Sequence, residues 1–214
     1  MKKLPRSFYL RPTLRVAQDV LGKLIVRMLP GKKLVGTIVE VEAYLGSRDP
    51  ASHAYRGRTP RNEVMFRTGG HLYVYFTYGM HFCANIVTEE EGVGHAILIR
   101  GVEPVEGIDV MKKNRRKRSG GVLESWSREV NLTNGPAKFC EAFGIGRSEN
   151  GTDLLGDEIF LAEGKQVSRP RIGISTRIGI RTAMDKRWRY YVKDNGWVSR
   201  QPKKASIPSS GTHR

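Results

Sequence analysis

The chain is poor in the groups that would anchor it, cross-link it or load it with a metal. No apolar run approaches the about 20 residues that a membrane-spanning helix needs. Met1-Lys-Lys-Leu4 has the charged opening of a signal peptide, but Pro5, Arg6, Arg11 and Arg15 interrupt any apolar stretch behind it. A cytoplasmic location and no membrane partner are therefore expected. Cys83 and Cys140 are too few for a disulfide framework, and neither belongs to a CxxC pair. Each reads as a small buried hydrophobe. His53, His71, His81 and His95 lack ligand spacing, so no metal site is expected. Walker A, GxGxxG, GxSxG and HExxH patterns are missing as well. Acidic residues are also scarce: 21 Asp and Glu face 37 Lys and Arg, a formal net charge of +16. Such an excess points first to nucleic acid and second to an anionic membrane surface.

What is present suggests one α+β domain over residues 1–200, with a disordered Pro/Ser/Lys tail at 201–214. Pro12-Thr13 followed by Leu14, Ala17, Val20, Leu21 and Gly22 predicts a short capped helix. Strands are predicted over Lys23–Met28 and Leu34–Leu45, the latter with Thr37, Val39, Val41, Ala43 and Leu45 on one face. Ile38, Glu40, Glu42 and Tyr44 share the other face, which is either a solvated edge or something built for chemistry. Further strands are expected at His95–Gly101, Asp157–Ala162 and Arg189–Val192. Helices are expected from Pro104 and from Pro136, the latter ending at Gly144. No regular βαβ alternation occurs, so the sheet should be curved, mostly antiparallel and accompanied by short helices.

Two segments carry the unusual side chains. His71–Val87 reads as a protruding aromatic hairpin that turns at Tyr78-Gly79-Met80. The long connection Gly46–Gly70 interleaves Arg56, Arg58, Arg61 and Arg67 with His53, Tyr55 and Phe66, a mixture suited to phosphates and bases. Lys112–Arg118 is the densest basic run, read either as a solvated helix end or as a phosphate contact; Gly120-Gly121 after it reads as mobile. The same two readings apply to Lys138 at the start of the helix after Gly135.

These parts suit cleavage of a bond between a sugar and a base. A carboxylate can activate water and offset an oxocarbenium-like charge. Aromatic walls can hold a base extruded from a duplex, and a hairpin wedge can fill the gap it leaves. Glu40 and Glu42 lie about 7 Å apart on one face and are equal candidates by position. No lysine falls in the Glu42, His53 or Tyr75 segments, so a Schiff-base step has no evident nucleophile.

Glu40-Val-Glu-Ala-Tyr-Leu-Gly46, Ser52-His-Ala-Tyr-Arg-Gly-Arg-Thr-Pro-Arg-Asn62, Leu72-Tyr-Val-Tyr75, Tyr78-Gly-Met80, Phe82-Cys-Ala-Asn-Ile86, Leu98-Ile-Arg-Gly-Val-Glu-Pro104 and Asn134-Gly-Pro-Ala-Lys138 together resemble the alkyladenine (3-methyladenine) DNA glycosylase family. Trp188-Arg-Tyr-Tyr-Val192 and Trp197-Val-Ser199 extend the likeness over nearly the whole chain. The resemblance implies a monofunctional, cofactor-free base-excision enzyme acting on double-stranded DNA with damaged purines, working as a monomer. Its known substrates include 3-methyladenine, 7-methylguanine, hypoxanthine and ethenoadenine. It also implies that Glu42 is the general base and that Arg100 helps hold the water. Tyr44, His53 and Tyr75 would enclose the base, His53 through its backbone, with Asn85 on the pocket floor. Tyr78 would enter the duplex with Met80 beside it, while Arg58, Arg61 and Lys138 are candidates for backbone contacts. Arg171-Ile-Gly-Ile174 and Arg177-Ile-Gly-Ile180 both match the motif that supplies a carbonyl near the water. An architectural, non-enzymatic DNA binder would explain the charge and the wedge but not Glu42, a carboxylate that costs affinity near phosphates. A glycosidase for small molecules would leave the arginine-rich loop idle.

Overall fold

The longest strand, β2 (Lys32–Leu45), holds the molecule together. In the computed structural model, which describes residues 1–77, 79–118 and 131–199, it is central to an eight-stranded sheet. One edge of β2 pairs along its length with β5 (His95–Glu106). The other edge is shared: β1 (Leu24–Leu29) takes its first half and β8 (Arg189–Val192) its second. β3 (Leu72–Thr77) and β4 (His81–Thr88) form the aromatic hairpin, which joins the sheet through β5. β6 (Ile159–Ala162) extends β1, and β7 (Ile172–Ser175) pairs with β8. Every pairing is antiparallel, and the sheet is curled into a half-barrel.

Alternation along the strands divides the sheet into two faces. Val41, Ala43, Leu72, Val74, Ala84, Ile86, Ile97 and Ile99 point into the main core. Four helices cover that face: α1 (Arg6–Tyr9), α2 (Thr13–Asp19), α3 (Ile108–Arg118) and α4 (Pro136–Phe143). α4 contributes Phe139, Cys140, Ala142 and Phe143. Gly36 permits its approach, because a Cβ there would lie 2.3 Å from Val102 Cγ1 and 3.2 Å from Phe143 Cζ. The opposite face is covered by the long connection, whose Ala54, Val64 and Met65 pack on Tyr73, Val87 and Ala96. Asn62 braces this connection: its amide donates to the His53 and Gly57 carbonyls and accepts the Thr59 N–H.

Several local expectations change in three dimensions. Ile38 belongs with Val41 and Ala43 in the helix-covered core, not with Glu40 and Glu42. Val39 is an extra residue between the pairs Ile38↔Val102 and Glu40↔Gly101, and Arg100 is extra between Glu40↔Gly101 and Val41↔Ile99. The Val39 bulge swaps the faces midway along β2, the Arg100 bulge does the same along β5, and both re-aim the side chains beyond them. The helix expected from Pro104 begins only at Ile108, because β5 continues to Glu106. Proline is accommodated at another register shift, where Val105 bulges outward between Val35 and Gly36 pairings. Thr13 is the first helical residue, not the cap; the Glu89 carboxylate accepts both its N–H and its hydroxyl. Tyr78, Gly120-Gly121 and the tail 201–214 lie outside the described residues.

Candidate active site

One row of the sheet underlies a cleft. Glu42 on β2 lies opposite Leu98 on β5, Leu98 opposite Asn85 on β4, and Asn85 opposite Tyr73 on β3. Tyr75 and Cys83 form a neighbouring pair, and Tyr44 stands one step along β2 from Glu42. Residues 50–53 of the long connection and 178–182 of a later loop supply the rims. The volume of this open cleft is about 500 Å³.

Glu42 has no exposed area, so the solvated-edge reading of its face is overturned. Two hydrogen-bond donors and one guanidinium reach its carboxylate. The Ile178 N–H donates to Oε1 at 2.7 Å, and the Tyr44 hydroxyl donates to Oε2 at 2.9 Å. Arg100 Nη1 stands 3.3 Å from Oε2. A carboxylate offers about four lone-pair positions, so these contacts leave it short of saturation. Burial and the neighbouring carboxylate both push the Tyr44 phenol far above its ordinary range, keeping it a proton donor.

Glu40 is equally buried but differently employed. Arg189 Nε and Arg100 Nε donate to its Oε1 at 2.7 and 3.1 Å, and Ser199 donates through both N–H and hydroxyl. Its oxygens are thus spent on holding arginines and the C-terminal segment. Arg100 links the two carboxylates: burial opposes its charge, but Glu42 and Glu40 outweigh that and raise its pKa.

The walls are aromatic. Tyr73 and Tyr75 stack with centroids 5.7 Å apart and an interplanar angle of 27°. The His53 ring meets Tyr75 edge-on at 4.4 Å, and its Nδ1 is 3.1 Å from the Tyr73 hydroxyl. Burial first and Arg61 second lower the His53 pKa, favouring a neutral ring. Burial also pushes Tyr73 up to about 12 and Tyr75 further in the same direction. Asn85 is buried on the floor and donates from Nδ2 to the Tyr73 carbonyl at 3.1 Å. The His53 carbonyl is occupied by Asn62 in this structure.

Outside the cleft the picture is looser. Met80 is 58% exposed at the hairpin tip, and Gly79 there adopts a φ of +66°. Arg58 pairs with Glu63 at 3.2 Å, and Arg61 Nη2 donates to the Phe76 carbonyl at 3.3 Å. Lys138 Nζ donates to Asn134 Oδ1 at 2.8 Å. The basic run at 112–118 belongs to α3, where Asn114 donates to the Ala142 carbonyl and Arg115 pairs with Glu141 on α4. Of the two RIGI copies, the second reaches the site: Ile178, Gly179 and Ile180 line the cleft, while the Ile174 carbonyl accepts Arg187.

Three participants escaped the reading from sequence. Tyr73 shares a strand face with Tyr75, so the alternation in Leu72-Tyr-Val-Tyr75 was an available signal. The Ile178 N–H had none, since a backbone donor carries no residue signature. Asp49, which pairs with Arg177, is one acidic residue in a loop. Comparison with known proteins matches residues 7–196 to the family model described as methylpurine-DNA glycosylase. A protein of Clostridium acetobutylicum named "Putative 3-methyladenine DNA glycosylase" is 46% identical over 201 residues, covering 92% of this chain and 97% of the relative. One of the same name from Carboxydothermus hydrogenoformans is 47% identical over 199 residues, covering 92% and 99%.

Proposed function

The chain belongs to the methylpurine-DNA glycosylase family, and on that premise we propose that Glu42 activates the water that releases a flipped, damaged purine from duplex DNA. The substrates are alkylated or deaminated purines, namely 3-methyladenine, 7-methylguanine, hypoxanthine and ethenoadenine. The observation that carries the reading is a buried carboxylate just beneath the cleft lining, held by Ile178, Tyr44 and Arg100, all three of which line the cleft.

In this mechanism the hairpin enters the duplex through Tyr78 and Met80 and the target base swings into the cleft. Tyr44, His53, Tyr73 and Tyr75 offer it flat, neutral walls, which suit base stacking without adding charge. A water donates a hydrogen bond to Glu42, and Arg100 helps to hold it. As the C1′–N bond stretches, the sugar becomes oxocarbenium-like; Glu42 takes the proton while the water oxygen attacks C1′. The products are the free base and an abasic site. Among the described residues the Lys and Arg side chains lining the cleft are Arg100 and Arg181, neither of which can form a Schiff base, so these offer no nucleophile for strand cleavage. The +16 charge draws the chain to DNA, as a monomer on the nucleoid in the cytoplasm.

The decisive variant is Glu42→Gln. General-base catalysis contributes roughly 10²–10⁴-fold, so base release should slow by at least about a hundredfold. Binding to a duplex carrying the lesion should persist. Excision at a near wild-type rate would reject the assignment.

A further inference from the structure

Glu42's two nearest donors are held from behind by one side chain. Arg177 precedes Ile178, whose N–H meets Oε1, and its guanidinium lies 4.6 Å from the centre of the Tyr44 ring, whose hydroxyl meets Oε2. On its other side the guanidinium stacks on Trp188 at 5.0 Å. Its fork takes both oxygens of Asp49, Nη1 to Oδ2 at 2.5 Å and Nη2 to Oδ1 at 2.8 Å, and Nη1 also donates to the Ala43 carbonyl at 3.0 Å. Asp49 in turn accepts the N–H groups of Leu45 and Ala51. The pair therefore joins the end of β2, the start of the long connection and the loop that carries Ile178. Neither side chain has any exposed area.

A buried ion pair generally adds little stability over apolar groups of the same volume. Its retention one residue from the donor, and against the wall ring, asks for another role. We propose that Arg177 and Asp49 are positioning residues, which lock the Ile178 N–H and the Tyr44 hydroxyl onto the Glu42 carboxylate. The inference rests on Glu42 being the base. Only a fork can hold Asp49 twice and Ala43 once in one plane; an ammonium is a point charge and cannot. Loosening the clip would let the 177–182 loop and Tyr44 shift, and small misplacements at a reacting centre cost large factors in rate.

Two variants test this without leaving a lone buried charge. Arg177→Lys keeps the opposite charge beside Asp49, and the double variant Arg177→Met/Asp49→Leu removes both. Each is checked by cooperative thermal melting. Release of methylated purines from dimethyl sulfate-treated duplex is then measured at saturating enzyme, alongside affinity for a duplex bearing a stable abasic-site analogue. The expected result is a release rate at least tenfold slower with affinity within twofold of wild type. A rate within twofold of wild type would overturn the proposal, as would a slowing matched by an equal loss of affinity, which is what a merely structural role produces. Glu42→Gln run in parallel separates the two claims. If it excises normally, the base assignment fails and takes the clip with it. If it is inactive while Arg177→Lys excises normally, only the clip fails.

Discussion

Arg171-Ile-Gly-Ile174 and Arg177-Ile-Gly-Ile180 are the same four residues in the same order, three positions beyond one another's end, yet they do different work. The first begins in a short turn and becomes β7, with Arg171 in solvent and Ile174 43% exposed. Gly173 there lies against the Tyr191 ring, 2.3 Å from where its Cβ would stand. The second is irregular. Its arginine is fully buried against Asp49, its first isoleucine gives an N–H to Glu42, and its glycine sits at a φ of +78° in open space. Local propensity cannot tell them apart. What differs is the partner: β8 offers the first copy a strand to pair with, while Asp49, Tyr44 and Trp188 offer the second a socket for its guanidinium.

The contrast can be broken most forcefully at the arginines. Arg177→Ala leaves Asp49 buried and unpaired and should destabilise the fold by about 3–5 kcal/mol. Arg171→Ala, on the surface, should stay within about 0.5 kcal/mol in the same urea titration. Equal effects would mean that the two copies are energetically alike. Next come the backbone donors. Ile178→Pro deletes the N–H that meets Glu42, a charge-assisted bond of the kind worth about 1.5–3 kcal/mol. Base release should slow by roughly ten- to a hundredfold, measured under single-turnover conditions.

The glycines give a smaller effect, and its cause differs between copies. Gly179→Ala should cost about 1 kcal/mol, from the left-handed backbone and not from crowding. Gly173→Ala must displace the Tyr191 ring, which also lies 4.8 Å from the Arg189 guanidinium, so its signature is a change in tyrosine fluorescence or chemical shift. A last test asks whether burial, as at Arg177, is what gives a charge its weight elsewhere in the molecule. The Arg27–Glu149 pair is buried on both sides, whereas Asp157 beside Lys3 is open to water. Burial would raise the Glu149 pKa, but the Gly146 N–H and Arg27 outweigh it and lower it below 4.5. The sign follows: this stability is complete above pH 4.5 and fades as the pH falls through the folded-state value. Glu149→Gln should therefore flatten the acid limb of a stability–pH curve, while Asp157→Asn should leave it almost unchanged.

Much of the candidate site is legible in the chain because side-chain alternation has a period of two. Glu42 with Tyr44, and Tyr75 on its own strand, could be placed on faces before any contact was known. Asn85 and Arg100 came by resemblance, and both line the cleft. The bulges at Val39 and Arg100 were not legible, since a bulge is a property of two strands and their register. For the same reason alternation alone puts Ile38 on the wrong face, and Pro104 reads as a helix start where β2 draws β5 onward.

The residue order by itself determined a basic chain, an antiparallel sheet, an aromatic hairpin and a strand carrying two acids. Those are consequences of composition and of short-range periodicity. Tertiary structure alone decided which acid is saturated with hydrogen bonds and which is not. Glu40 is saturated by Arg100, Arg189 and Ser199, and Ser199 lies 159 positions away. Glu42 is met by a phenol, a backbone N–H and one guanidinium edge, brought to it by folding, which leave its oxygens short of saturation. Lone pairs are few, and only the folded chain determines which donors fill them.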